Sequence, residues 1–196
     1  MRVGCSPAYT FAHFAEHLTF DDLVWAVHRV AELGFCGLQL ETFHEEQVAL
    51  YTAERVRYLR DLFRSQGLEC SQFVAHSARY NISSLARQRR KRGLEHFKRL
   101  VQICSELGIV SIVNLPSATP PELIVESHEI YPGGHESVVE LPPDVAWADV
   151  WNTYAETVNQ CLGVLKGSGM KLAIEGVPYA IVSTTDSFLR LADKVG

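Results

Sequence analysis

The sequence predicts an α/β fold, the (β/α)8 TIM barrel, of which this chain supplies roughly the first five β/α units. Three observations carry that expectation. A helix-period segment that ends at a glycine, a short apolar run, and a polar residue closing the run recur along the chain. Such alternation specifies a parallel sheet with right-handed crossovers. The closing residues Glu41, His76, Asn114 and Glu175 hold the same place in four consecutive units, and a barrel sets functional side chains at the C-terminal ends of many strands. A doubly wound sheet gathers its chemistry at one switch point, often behind a Gly-rich first turn, and no G-x-G-x-x-G or P-loop pattern occurs.

Each element follows from local pattern. The opening strand is Arg2 to Cys5. The first helix opens at Thr19, with Asp22 completing an approximate capping box, and aligns Leu23, Val27, Val30 and Leu33 before Gly34. Phe35-Cys36-Gly37-Leu38-Gln39-Leu40 is the next strand, closed by Glu41. The second helix, Ala53 to Gln66, stacks Val56, Leu59 and Phe63 and stops at Gly67; its strand, Ser71 to Ala75, closes on His76, before a polar turn, Ser77-Ala78-Arg79-Tyr80-Asn81. The third, Leu85 to Leu107, places Leu94, Phe97, Val101 and Cys104 at helical spacing before Gly108, and Ile109 to Val113 then closes on Asn114. The fourth, Trp147 to Leu165, aligns Trp147, Val150 or Trp151, Tyr154, Val158, Cys161 and Leu165 and yields to Gly167-Ser168-Gly169. Met170 to Ile174 follows, closed by Glu175, and a fifth helix begins near Ser183 to Asp186 and buries Phe188, Leu191 and Val195.

One domain over residues 1–196 is expected. Five units leave roughly three, on the order of 100 residues, to complete a typical ~250-residue barrel. Asp193-Lys194-Val195-Gly196 stop where a sixth strand should start, so the expectation is a domain truncated at its C-terminus.

Composition excludes several classes. Of 196 residues, 47% are hydrophobic and 21% charged, as in an ordinary globular domain. A net charge of -5 and a pI of 5.9 provide no overall field for a polyanion, so no nucleic-acid partner is expected. Five dispersed cysteines without a C-x-x-C pair suit a reducing cytoplasm. The N-terminus has no apolar run of signal length, and no stretch of about 18 apolar residues suggests a membrane span.

Glu175 is the leading candidate for chemistry, because a carboxylate fixed at a strand end can ligate a cation and shuttle a proton. It can equally be a rim Glu paired with Arg or Lys. His76 can bind a metal, contact a substrate hydroxyl or act as acid/base, and the plainer reading is a hydrogen-bonded structural residue. Glu41 and Asn114 are candidates for orienting a ligand. Tyr9, Phe11 and Phe14 suit the apolar face of a sugar, or plain packing. The run Arg87-Gln88-Arg89-Arg90-Lys91-Arg92 invites a phosphate or nucleic-acid reading, and a solvated helix face is the preferred one. Pro116 to Ala146 is a long βα insertion containing His128-Glu129 and His135-Glu136 about a Pro132-Gly133-Gly134 turn. That separation matches no helical zinc motif, and a lid or a contact within a homo-oligomer is expected.

Leu172-Ala173-Ile174-Glu175-Gly176-Val177-Pro178, with the following Ile181 to Leu191, resembles the fifth β/α unit of sugar phosphate isomerases and epimerases of the xylose isomerase-like superfamily. Glu32 to Leu40 and Cys104 to Gly108 resemble the second strand and third helix end of that superfamily. The resemblance spans essentially the whole chain. It implies a divalent-metal-dependent isomerase or epimerase acting on a small sugar or sugar phosphate by proton transfer next to a carbonyl. Glu175 would be both acid/base and metal ligand, and the metal Mn²⁺, Mg²⁺, Co²⁺ or Zn²⁺. The remaining ligands, an Asp, a His and a second Glu, would come from the sixth to eighth strands. By the same resemblance the alternatives are a keto-inositol-type dehydratase, an endonuclease IV-like repair nuclease, or a non-catalytic sugar-binding barrel. Ala75 to Ile82 resembles the first zinc-ligand segment of endonuclease IV, but Leu115 stands where that family places a second His.

Overall fold

The computed structural model describes residues 2–14, 17–108, 111–131 and 134–196, and for 129–131 and 134–136 the backbone alone. Five strands, β1 (Gly4–Cys5), β2 (Gly37–Glu41), β3 (Glu69–Val74), β4 (Ile112–Pro116) and β7 (Lys171–Glu175), form one parallel sheet in the order β1-β2-β3-β4-β7. The helices between them are α1 (Ala8–Phe14), α2 (Phe20–Glu32), α3 (Ala53–Ser65), α4 (Arg79–Ser83), α5 (Arg87–Leu107) and α6 (Trp147–Leu165), with α7 (Thr185–Val195) after the last strand. Neighbouring strands are consecutive units, so the sheet advances in one direction. This is the order of successive β/α units of a TIM barrel.

The helix starts follow from side-chain chemistry. Thr19 and Asp22 form the reciprocal capping box of α2, and Thr184 with Ser187 does the same for α7. α5 ends at Gly108, whose φ of 77° is left-handed and leaves that cap to glycine.

Alternation along the strands separates two faces. Leu38, Leu40, Phe73, Val113 and Leu115 are buried on the helix side, against Val27, Val30, Leu59, Phe97, Cys104 and Val158. The other face carries Gln39, Glu41, Gln72, Val74, Asn114 and Glu175. One extra residue of β3, where Leu38 pairs Cys70 but Leu40 pairs Phe73, shifts the register between β2 and β3.

The structure differs from the sequence reading at several points. β4 does not close on Asn114 but runs on to Pro116, placing Asn114 opposite Ala173 and Pro116 opposite Glu175. Ile109 and Val110 lie outside the described residues. The segment after His76 is helical rather than a polar turn, a single 3-10 turn (His76–Ala78) leading into α4. The long insertion contains an antiparallel hairpin, β5 (Ile124–Tyr131) and β6 (Gly134–Val139). Leu33, Trp147 and Phe188, expected on buried faces, are exposed. Leu33 sits at the C-cap of α2 and Trp147 at the first residue of α6, beyond the packed turns. Phe188 is on α7, which follows the edge strand β7 and packs against α6.

Candidate active site

The C-terminal ends of the strands enclose a cavity of about 400 Å³. Its inward side chains follow the period of two: Gln39, Glu41 and Phe43 from β2 and its extension, Gln72, Val74 and His76 from β3, Asn114 from β4, and Glu175 from β7. Another cavity, of about 430 Å³, opens at the N-terminal ends of the strands beside Arg60, Arg64 and Glu69. In a barrel that end serves stability rather than chemistry.

Glu175 stands at the last position of β7 and is exposed to the cavity mouth. Its Oε2 accepts a hydrogen bond from the Asn114 side-chain amide at 3.0 Å. The register explains that contact, because Asn114 lies opposite Ala173 and so shares the inward face one pleat below Glu175. Asn114 is 8% exposed, and its Oδ1 has no partner. A buried acceptor left without a donor is costly in a finished core. Asn114 itself lines the cavity beside Glu175.

Glu41 is 6% exposed, with its backbone carbonyl accepting the Tyr51 hydroxyl at 3.1 Å. Burial, and secondly the negative charge of Glu175, push its carboxyl up to about 8. A carboxyl of that kind is largely protonated at neutral pH and can donate a hydrogen bond.

His76 lies with Nε2 3.6 Å from Glu41 Oε2, too far for a hydrogen bond. Arg79 Nη1 is 2.7 Å from His76 Nδ1. A guanidinium only donates, so Nδ1 accepts and the neutral ring carries its proton on Nε2, toward Glu41. Burial, and then the Arg79 charge, pull the imidazole down to about 4. Phe43 stacks on the ring at 4.9 Å and 11°, and Phe11 packs against Phe43 at 4.9 Å. A backbone clamp fixes the segment: Thr42 N–H donates to Val74 O, and Ser77 N–H to Thr42 O. The Ser77 hydroxyl lies 2.7 Å from both Thr42 Oγ1 and His96 Nε2.

The structure therefore brings Glu41, His76, Asn114 and Glu175 around one cavity. Tyr9 is elsewhere: it stacks on Trp25 at 6.1 Å and meets His13 edge-on at 4.8 Å. Phe11, two residues further along the same helix, takes the cavity-facing place. Gln39, Phe43, Gln72 and Arg79 were missed by the sequence reading. Counting back or forward by two from Glu41 and His76 would have found the first three, because strand neighbours on one face are two residues apart. Leu115, compared above with a nuclease ligand, is buried on the helix face. His128 is exposed beside Glu126, and the side chains of Glu129, His135 and Glu136 lie outside the described residues. No group of three or more His, Cys, Asp or Glu able to hold a metal occurs among the described residues.

A parallel β/α array with carboxylates at the strand ends defines a barrel of the TIM type. Residues 27–196 match the family described as the xylose isomerase-like TIM barrel, and the chain belongs to it. Comparison with curated proteins gives no match. Among solved structures, D-psicose 3-epimerase from Clostridium cellulolyticum H10, solved with D-tagatose, is similar at 16% identity and a TM-score of 0.70, over 100% of this chain and 60% of that one. The IolI protein with a bound zinc atom is similar at 14% identity and a TM-score of 0.67, over 100% and 59%. A xylose isomerase-like TIM barrel protein from Mycobacterium smegmatis in complex with magnesium is similar at 18% identity and a TM-score of 0.64, over 92% and 55%. The chain thus spans at most 60% of the length of these structures.

Proposed function

We propose that the protein is a divalent-metal-dependent sugar or sugar-phosphate isomerase or epimerase that moves a proton on the carbon next to a carbonyl. The observation that carries this reading is the placement of Glu175, a carboxylate fixed at a strand end. One of its oxygens is held by Asn114, and it faces a cavity whose walls include a second carboxyl, Glu41, and a neutral imidazole, His76.

Glu175 acts as the acid/base, since the Asn114 amide fixes its orientation while leaving it open to the mouth. Asn114, which lines the cavity, contacts a substrate hydroxyl. Glu41, protonated by burial, and the Nε2–H of His76 donate to substrate oxygens. Phe11 and Phe43 cover the apolar face of the sugar. The metal, Mn²⁺, Mg²⁺, Co²⁺ or Zn²⁺, supplies Lewis-acid polarisation of the carbonyl when bound. Glu175 fits as one of its ligands, being an exposed hard oxygen donor, and the described residues provide no complete set around it. The zinc and magnesium in two of the similar structures support metal use, and the named epimerase supports the substrate class. No described helix is long and apolar enough to cross a membrane.

The test is solvent exchange. The full chain is assayed for bound metal, supplemented with Mn²⁺ or Co²⁺, and incubated in D2O with a panel of ketoses, ketose phosphates and inosose-type ketones. The expected result is deuterium incorporation next to the carbonyl, reduced about 10²–10⁴-fold in Glu175→Gln, the range of a lost acid/base. Loss of water from the inosose would assign a dehydratase. Ligand binding with no exchange in the metal-supplemented protein would leave a non-catalytic barrel.

A further inference from the structure

A second cavity, of about 570 Å³, adjoins the first and shares Phe11, Phe43 and His76 with it. Three arginines, Arg79, Arg89 and Arg92, line it. Arg89 lies 3.6 Å from Glu122. Of the two acidic residues on the lining, Glu45 accepts the Asn81 amide at 2.5 Å and Glu46 is exposed.

Arg79 is different. It is half-buried, and the hydrogen bonds of its guanidinium go to neutral acceptors, His76 Nδ1 at 2.7 Å and the Tyr80 hydroxyl at 3.3 Å, with the Tyr80 ring 4.7 Å beneath it. None of the described ion pairs includes it. A guanidinium has five N–H donors, so most of its capacity is unspent, and withdrawing a cation from water without a counter-charge is unfavourable. An anion in this cavity would supply that counter-charge, and the planar fork suits phosphate oxygens.

The basic run on α5 divides accordingly. Arg90 turns back to the carbonyls of Ser84 and Leu85 and closes the turn before the helix. Arg89 and Arg92, three residues apart on one helix face, line the cavity.

We propose that this second cavity binds the phosphate monoester of the substrate, with Arg79 as the principal anion ligand and Arg92 as a supporting cation. The substrate is then a sugar phosphate whose reacting carbons occupy the first cavity. The assignment of reacting carbons rests on the isomerase reading above; the phosphate site itself does not. His76 joins the two cavities, with Nδ1 on Arg79 and Nε2 toward Glu41.

The test uses inorganic phosphate and the full chain, following binding by calorimetry and by ³¹P line broadening, with acetate as the carboxylate probe. Phosphate is expected to saturate one site. Its Kd should rise about tenfold or more in Arg79→Gln, the effect of a lost charge-assisted bond, and less in Arg92→Gln. It should be unchanged in Arg60→Gln, at the opposite end of the sheet, and acetate should bind more weakly than phosphate. Circular dichroism checks each variant, and if Arg79→Gln does not fold, Arg92→Gln and Tyr80→Phe carry the test. Absence of saturable phosphate binding, equal loss in Arg60→Gln, or tighter acetate binding would overturn the proposal. Because the readout needs no turnover, phosphate binding without proton exchange would sustain this site and sink the isomerase reading. Exchange on free ketoses without phosphate binding would do the reverse.

Discussion

At His76 two effects act in the same direction, since burial removes water from the imidazolium and Arg79 repels it, and the pKa falls to about 4. The unfolded chain titrates near the ordinary value of 6.5, so between those values the folded state binds fewer protons. This contribution to stability is complete above pH 6.5 and is lost as pH falls through 4. Its size is on the order of 2–3 kcal/mol. Glu41 runs the other way: with its folded pKa raised from 4.5 to about 8, its contribution is complete below 4.5 and lost as pH rises toward 8. Comparison with His76→Gln isolates the imidazole. Between pH 7 and 4, urea unfolding of the wild type should lose about 2–3 kcal/mol more than the variant loses; parallel slopes would show that His76 is not buried neutral. Asn114 acts on orientation, not charge. Asn114→Ala removes the amide holding Glu175, and kcat for proton exchange is expected to fall about 10–100-fold, as when a reacting group is misplaced by about 1 Å, with a smaller change in KM. An effect confined to KM would assign Asn114 to binding alone.

Packing between elements gives a matched pair of predictions on two glycines in helices. A Cβ on Gly93 of α5 would lie 2.9 Å from the Asn81 Cβ and 3.0 Å from backbone atoms of Asn81 and Ile82, because α4 rests directly on α5. A Cβ on Gly163 of α6 would meet nothing within 4 Å. Alanine favours a helix interior over glycine by about 1 kcal/mol. Gly163→Ala should therefore stabilise by up to about 1 kcal/mol, whereas Gly93→Ala should destabilise by about 1–3 kcal/mol through overpacking against backbone that cannot turn away. Denaturant midpoints of the two variants check this, and a stabilised Gly93→Ala would mean that α4 moves freely on α5. The same two helices show what the sequence does and does not disclose. α5 was legible because Phe97, Val101 and Cys104 form a helical stripe ended by Gly108. α4 was not, since its five residues carry a single buried apolar one, Ile82, and its helicity depends on docking. The site divides in the same way. Glu41, His76, Asn114 and Glu175 stood out because each closes an apolar run, whereas Gln39 and Gln72 lie within their strands and Phe43 beyond one. Arg79 was lost in what read as a polar turn, because its role depends on His76 being three residues back across a 3-10 turn.

For the molecule as a whole, the consequential feature is that the array is interrupted once, between β4 and α6, by the hairpin β5–β6. Its strands pair with each other and form a sheet separate from the main one. Val125, Val138, Val139 and, just after it, Leu141 are exposed, so these residues give little of their apolar surface to the core. Leu123, immediately before it, is buried, and the Glu140 N–H donates to Leu123 O at 2.9 Å, holding the two ends of the excursion together. A short linker can close a gap whose ends already meet, and the entropy of closing a shorter loop is no greater than that of the longer one it replaces. Replacing residues 125–138 by Gly-Ser-Gly-Ser should therefore leave the thermal midpoint within about 4 °C of the wild type, corresponding to less than about 1 kcal/mol. If the hairpin is a lid over the strand ends, KM for the substrate should rise in this variant while the metal content is unchanged; if it joins copies of the chain, the mass in sedimentation should fall instead. A large drop in the midpoint would show that the hairpin belongs to the folding unit and that its exposed valines are covered in solution.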